Sequence, residues 1–261
     1  MNKWLILILH LLLYESYSFG IELPKNIEKC HFGDTICLIR TMNSIIRHYP
    51  KGISEIGLPP LDVTHFNLVS VLNTTTKGPI WLNFHLRDNI NKGFNNATII
   101  HVDGFDQDPT KKQIEIKARI PRILHEANYD MEGKFLLFKA NSTGKLTSDF
   151  QNFELTLIVK VFVEYRQDKR FLKIYSLVPN VKIDRWIIWM DDLYKENSDL
   201  TIALNRAFND HWVEFWNDLE PGLLTEFKIS FTGLLTTIFD RVSYDDMFLS
   251  QTEIYGSSLF E

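Results

Sequence analysis

Two cysteines, Cys30 and Cys37, are all that 261 residues contain, so only one intrachain pairing is open to the chain. A surplus of positive charge is also missing. The 28 Lys and Arg stand against 33 Asp and Glu, a formal charge of -5, which speaks against a binder of phosphate backbones; no nucleic-acid partner is expected. Low-complexity and collagen-like bias are absent, and a composition 45% hydrophobic and 23% charged excludes a disordered chain. Beyond the N-terminus no apolar run approaches the ~20 residues that span a bilayer, so no transmembrane segment is expected.

The signatures of catalysis are missing too. A nucleophile elbow needs Gly-x-Ser-x-Gly, and the nearest run, Gly52 to Gly57 around Ser54, has the wrong spacing. His125-Glu126 opens like a zinc-protease motif, but Tyr129 stands where the second histidine belongs. None of the eight histidines pairs with another at ligand spacing on one element, and each reads as a surface or hydrogen-bonded residue. Phosphate loops and dinucleotide fingerprints are absent. Asp191-Asp192 and Asp245-Asp246 read as solvated turn or cap residues. No catalytic residue, metal ligand or cofactor is therefore assigned, and the chain is not read as an enzyme.

What is present begins at the N-terminus. Lys3 precedes the apolar run Trp4 to Leu13, the order of a secretory signal peptide, with cleavage placed between Ser18 and Gly20. Residues 1–20 are thus the signal peptide, and a secreted, extracellular protein follows. Outside the cell thiols oxidise, so Cys30 and Cys37 are expected to form a disulfide. Residues 34–49 repeat as an amphipathic helix, capped by Asp34 or Thr35 and ended by Pro50 and Gly52. Three Asn-x-Thr sequons, at Asn73, Asn96 and Asn141, are candidate glycan sites and predict side chains that face water.

From Phe66 to Trp186 apolar residues alternate with period two, most cleanly over Phe153 to Tyr165, Ile80 to Leu86 and Ile114 to Ile120. These predict antiparallel strands with one dry face. After Ser198 the period becomes helical and runs to about Arg241, with a kink expected at Pro221-Gly222. The apolar positions spread so widely that cover nearly all round is expected. No repeat or linker divides the chain: residues 21–249 read as one domain and 250–261 as a mobile tail. The 19 Phe require either a large packed core or an apolar cavity, and pattern alone leaves both open.

Several separated stretches then carry a likeness. They are Gly52-Ile53-Ser54-Glu55-Ile56-Gly57-Leu58-Pro59-Pro60-Leu61-Asp62, Asn152-Phe153 following Gly144, and Met190-Asp191-Asp192-Leu193-Tyr194. Further on come Asn205, Asn209, Trp212, Leu219 and Pro221, then Tyr244-Asp245-Asp246-Met247-Phe248. In this order they resemble the insect takeout and juvenile-hormone-binding family over roughly Ile27 to Leu249, Asn152-Phe153 resembling that family's mid-sheet turn and strand. The single bridge resembles the takeout branch; Ser142 and Ser243 depart from a common turn Gly and a usual Pro.

The resemblance implies an α+β fold in which a highly curved antiparallel sheet wraps a long C-terminal helix around an apolar tunnel, as in tubular lipid-binding (TULIP-like) proteins. It implies a non-enzymatic carrier of terpenoid hormones, fatty acids or similar lipids, with family roles that include circadian feeding. On that reading the sheet's tunnel wall is Leu82, Phe84, Phe135, Leu137, Leu155, Leu157, Val159 and Val161. The helix's wall is Leu204, Phe208, Phe215, Leu219, Leu223, Phe227 and Phe231. Tyr129, Tyr165, Trp186 and Trp212 are the candidates for meeting a ligand's polar end. The alternative is a secreted signalling protein whose outer surface meets a receptor or another extracellular protein.

Overall fold

The computed structural model describes residues 20–66, 69–73, 80–135 and 138–249. The expected signal peptide, apart from Gly20, and the expected tail lie outside the described residues. Helix α1 (Thr35–His48) starts where Asp34 accepts a hydrogen bond from the Cys37 backbone N–H at 3.0 Å, which fixes Asp34 as the cap. The expected Cys30–Cys37 disulfide is present and ties the entering segment to the first turn of α1. The same segment bonds to the far end of the chain, since the Leu249 N–H donates to the Cys30 carbonyl at 3.0 Å.

Eight antiparallel strands follow among the described residues: β1 (Val63–Phe66), β2 (Val69–Asn73), β3 (Ile80–Lys92), β4 (Thr98–Asp103), β5 (Ile114–Phe135), β6 (Phe138–Arg166), β7 (Lys169–Lys182) and β8 (Arg185–Met190). The β5–β6 hairpin is the spine, with strands of 22 and 29 residues. Along its β5 side lie β4 and β3 end to end, with β1 and β2 beyond β3; along its β6 side lie β7 and β8. At ~3.3 Å per residue a straight β6 would reach roughly 95 Å, so the hairpin must bend. It bends where Pro121 and Asn152 sit opposite each other, Asn152 with φ of 49°. Buried positions on β5 change there from Ile114, Ala118 and Ile120 to Ile123, His125, Ala127 and Tyr129. On β6 the same step separates Leu146, Ser148 and Phe150 from Phe153, Leu155 and Leu157. The register is unbroken across this step, Ile120 opposite Phe153 and Arg122 opposite Gln151, so the inward-facing set changes parity on both strands together.

The turn expected near Gly144 and Asn152 is replaced by continuous strand. Gly144 is needed for another reason: a Cβ there would lie 2.5 Å from the Asp191 carbonyl oxygen. The close approach admits no side chain.

Helices α2 (Ser198–Asp210) and α3 (Trp212–Arg241) complete the fold, with Asn197 capping α2 through the Leu200 N–H. The helical run is divided at His211, and Pro221, where a kink is expected, lies inside the continuous α3. Pro221 is exposed, and so is Asn217, whose carbonyl loses its helical donor and can bond to water. Helix α3 touches β7 at one margin of the sheet and β2 at the other, so it sits in the mouth of the curve. The expected all-round cover is therefore not found. Trp216, Leu219 and Phe239 are buried, whereas Val213 and Ile229 face solvent.

Two side chains of α2 finish the sheet. The outer backbone edge of β8 is met by amides one helical turn apart. Asn205 Oδ1 accepts from the Met190 N–H at 2.8 Å, and its Nδ2 donates to the Met190 carbonyl at 2.9 Å. Asn209 treats Ile188 in the same way, at 3.0 and 2.7 Å. They stand in for a neighbouring strand where a bare edge would otherwise be left. Asp245 and Asp246, expected as solvated residues, are instead paired. Asp245 Oδ1 accepts from both Nε and Nη2 of Arg170, its Oδ2 accepts from the Arg170 backbone N–H, and Asp246 is 2.7 Å from Lys169.

Candidate functional site

The inner faces of the sheet and of α2 and α3 enclose one continuous apolar cluster. Phe84, Leu155, Leu157, Val159, Val161 and Leu219 are buried in it. Leu204, Phe208, Phe215, Leu223, Phe227 and Phe231 are partly buried and packed against it. The sheet-side and helix-side wall residues expected from the sequence thus meet in one interior. The side chains of Leu82 and Phe135, and the whole of Leu137, lie outside the described residues.

One end of this interior is filled by rings. Phe208, Phe215, Trp186 and Phe150 stack nearly parallel, with successive centroids 4.7, 5.4 and 5.6 Å apart. Trp216 and Phe153 pack edge-on against this column, and Phe227 edge-on against Phe153. Phe150 and Trp216 are core residues that the sequence did not single out for the wall. Phe150 sits beyond the pleat reversal at Asn152, so counting by twos from Phe153 puts it on the wrong face.

The four polar candidates separate by position. Tyr129 is fully buried and its hydroxyl donates to the Asp191 carbonyl at 2.5 Å; burial pushes its pKa above the usual phenol value. Tyr165 is 71% exposed, because the inward stripe of β6 ends before it, so its place does not suit an interior contact. Trp212 is partly buried with the Arg185 guanidinium 5.7 Å over its ring. Trp186 is buried and its Nε1–H has no hydrogen-bond partner among the described residues. A buried donor left unpaired costs ~1 to 3 kcal/mol, so an acceptor brought to it by a guest would recover that amount.

Among the described residues two spaces stand out. The first, about 60 Å³, lies between β3, β5, β6 and α3, with apolar walls from Leu86, Phe150, Leu223 and Phe227. Asn89, Asn91, His125, Glu226 and Ser230 also line it. Asn89 points inward because Asp88, at φ of 55°, carries a bulge that turns the pleat of β3. Its Nδ2 donates to the Leu86 carbonyl at 3.1 Å, which leaves Oδ1 to accept from His125 Nε2 at 3.0 Å. The imidazole therefore carries its proton on Nε2. Burial lowers the His125 pKa to about 4, against a smaller opposing pull from Glu126, so the ring is neutral near pH 7. Sequence reading missed His125 and Asn89 as site residues; the inward alternation Ile123, His125, Ala127, Tyr129 is the signal that marks the histidine.

The second space, about 480 Å³, is an outer cleft with polar walls that include Arg87, Asn128, Lys145, Asp191 and Asp192. Neither space outlines the elongated tunnel expected from the resemblance. Asn96 and Asn141 are exposed as their sequons predict, whereas the Asn73 side chain lies outside the described residues. Among the described residues no three His, Cys, Asp or Glu side chains gather as a metal site requires, and no helix is long and apolar enough to cross a membrane.

With this geometry in hand, the comparisons with known proteins decide the family. A family model described as haemolymph juvenile hormone binding protein (JHBP) matches residues 6–249. The chain belongs to that family. Within the JHBP family it is similar to two proteins described as circadian clock-controlled protein daywake. The one from Drosophila yakuba is 22% identical over 236 residues, covering 87% of this chain and 89% of its own. The one from Drosophila melanogaster is 19% identical over 228 residues, covering 86% and 88%. Among solved structures, Epiphyas postvittana Takeout 1 superposes with a TM-score of 0.68 at 17% identity, covering 86% of this chain and all of its own. The expected α+β fold, a curved antiparallel sheet around a long C-terminal helix, is thereby established, the sheet remaining open rather than closed into a barrel. The JHBP family is one of hydrophobic-ligand carriers rather than of enzymes.

Proposed function

We propose that the mature domain, residues 21–249, is a secreted carrier that shields a terpenoid, fatty acyl chain or similar lipid between its concave sheet and helices α2 and α3. The observation that carries this reading is the row of partly buried apolar side chains along the helices, Leu204, Phe208, Phe215, Leu223, Phe227 and Phe231, facing the dry side of the sheet. Such residues pack against the interior without being sealed in it, and α3 sits in an open mouth where it can shift. Shielding ~15 methylene-sized groups at ~0.8 kcal/mol each supplies ~12 kcal/mol. That stands against ~4 to 15 kcal/mol lost on association. A cavity of about 60 Å³ is far below the ~300 to 1,000 Å³ of ordinary ligand sites. Loading a chain therefore requires the α3 side chains to move, and slow, temperature-dependent uptake is expected.

A second reading rests on the outside of the molecule. Phe162, Tyr165, Tyr175 and Val178 are all more than half exposed on β6 and β7. An apolar face of this kind suits contact with another extracellular protein or a receptor.

Native mass spectrometry of the protein secreted from insect cells, followed by denaturing extraction, separates the two readings. A stoichiometric hydrophobic compound supports the carrier. An empty protein that takes up nothing from a panel of fatty acids, fatty alcohols and terpenoids overturns it and favours the surface reading.

A further inference from the structure

We propose that the space beside Asn89, Asn91 and His125 is a head-group site that selects ligands ending in an alcohol, such as a long-chain or terpenoid primary alcohol. This deepens the carrier reading and rests on it. The inner face of the sheet is apolar on either side of this point, yet a polar row crosses it. In the strand ladders Asn91 of β3 stands opposite His125 of β5, which in turn stands opposite Ser148 of β6. Residues directly opposite each other in a ladder have Cβ atoms ~4.5 to 5.5 Å apart, so the three form one cluster.

The cluster has hydrogen-bonding capacity to spare. Asn89 holds Nε2–H of His125, which makes Nδ1 a pure acceptor, and Nδ1 has no hydrogen-bond partner among the described residues. The Ser148 hydroxyl is buried and likewise unpaired. Buried polar groups in folded proteins are almost always satisfied, so the unpaired Ser148 hydroxyl, across the ladder from the cavity-lining His125, points to a missing guest. The cavity of about 60 Å³ is roughly twice the volume a water occupies in the liquid, room for a hydroxymethyl group with the apolar chain running on between Leu223, Phe227 and Phe150.

The chemistry chooses among head groups. A hydroxyl can donate to Nδ1 and at the same time accept from a serine or asparagine of the cluster, whereas an ester, ether or epoxide oxygen only accepts and leaves Nδ1 without a donor. A carboxylate is refused twice. The imidazole is neutral and supplies no counter-charge, and Glu226 contributes to the same wall. No lysine or arginine is among the described residues that line the cavity.

The test compares three probes with one C16 chain, hexadecanol, palmitate and methyl palmitate, by competition at pH 7.4 on the full secreted protein. The expected result is that hexadecanol binds about tenfold or more tightly than the other two, the size of one satisfied buried hydrogen bond. His125→Phe should erase that preference while methyl palmitate still binds. Should His125→Phe fail to fold, Glu226→Gln on the partly exposed α3 serves instead, and should raise palmitate affinity alone by several-fold. Equal binding of all three probes to the unmodified protein overturns the head-group site and leaves the carrier reading standing. Binding of none overturns both.

Discussion

Asn205 offers the sharpest test of how the sheet is finished. It is fully buried and makes three hydrogen bonds, two to the backbone of Met190 and one to the Thr201 carbonyl at 3.0 Å. Asn205→Ala strips the edge of β8, leaving the N–H and C=O of a residue that is itself buried. Each such group costs ~1 to 3 kcal/mol, and alanine returns about half a kcal/mol in helix propensity, for a net loss of ~2 to 5 kcal/mol. Asn209→Ala breaks the matching pair to Ile188, but Asn209 is only partly buried and water can replace it, so a loss of ~1 to 2 kcal/mol is expected. Equilibrium urea unfolding, followed by tryptophan fluorescence because Trp186 and Trp189 lie on β8, measures both. Asn205→Asp should be at least as harmful as alanine, since it replaces a donor with a carboxylate facing the Met190 carbonyl. If Asn205→Ala unfolds within about 0.5 kcal/mol of the unmodified protein, the two amides do not act as a surrogate strand and the argument fails.

Three further outcomes are expected. The folded pKa of His125, about 4, lies below the ~6.5 of an unfolded histidine, so the unfolded chain binds the extra proton. Its contribution is fully present above pH 6.5 and is lost progressively as pH falls to about 4, ~3 kcal/mol in all. Urea midpoints measured across that window should show a slope that His125→Phe removes. Replacing Cys30 and Cys37 together with alanine should cost ~2 to 3 kcal/mol by chain entropy, since they lie seven residues apart, and thermal unfolding with and without reductant checks it. Asn96→Gln and Asn141→Gln should each remove one glycan's mass from the secreted protein on a gel, because both side chains face water.

Local order was legible from the chain. Alternation over Ile114 to Ile120 and Phe153 to Val161 identified the strands and their dry faces, because a two-residue period is a property of the extended backbone itself. The helical period after Ser198 was equally plain, as was the cysteine pairing, for which no second partner exists. Alternation was not enough to keep the phase across Pro121 and Asn152. There the inward-facing set changes parity on both strands at once, although the pairing register runs on without a shift. For that reason Phe150 and His125 were not seen as interior residues. Pro221 is carried inside α3, on an exposed face where the Asn217 carbonyl can bond to water.

Family membership and the broad carrier class were within reach of the sequence, since scattered residues such as Asn205, Asn209 and Pro221 keep their order along the chain. The use made of those residues was not. That two asparagines complete a sheet edge, that Tyr129 is spent on the Asp191 carbonyl, and that Tyr165 points away from the interior follow from contacts between residues up to 62 positions apart. The periods, the caps, the bridge and the kinship are local or ordinal properties, readable along the chain. Which polar groups are buried, and which of them lack a partner, depends on what the rest of the fold brings alongside.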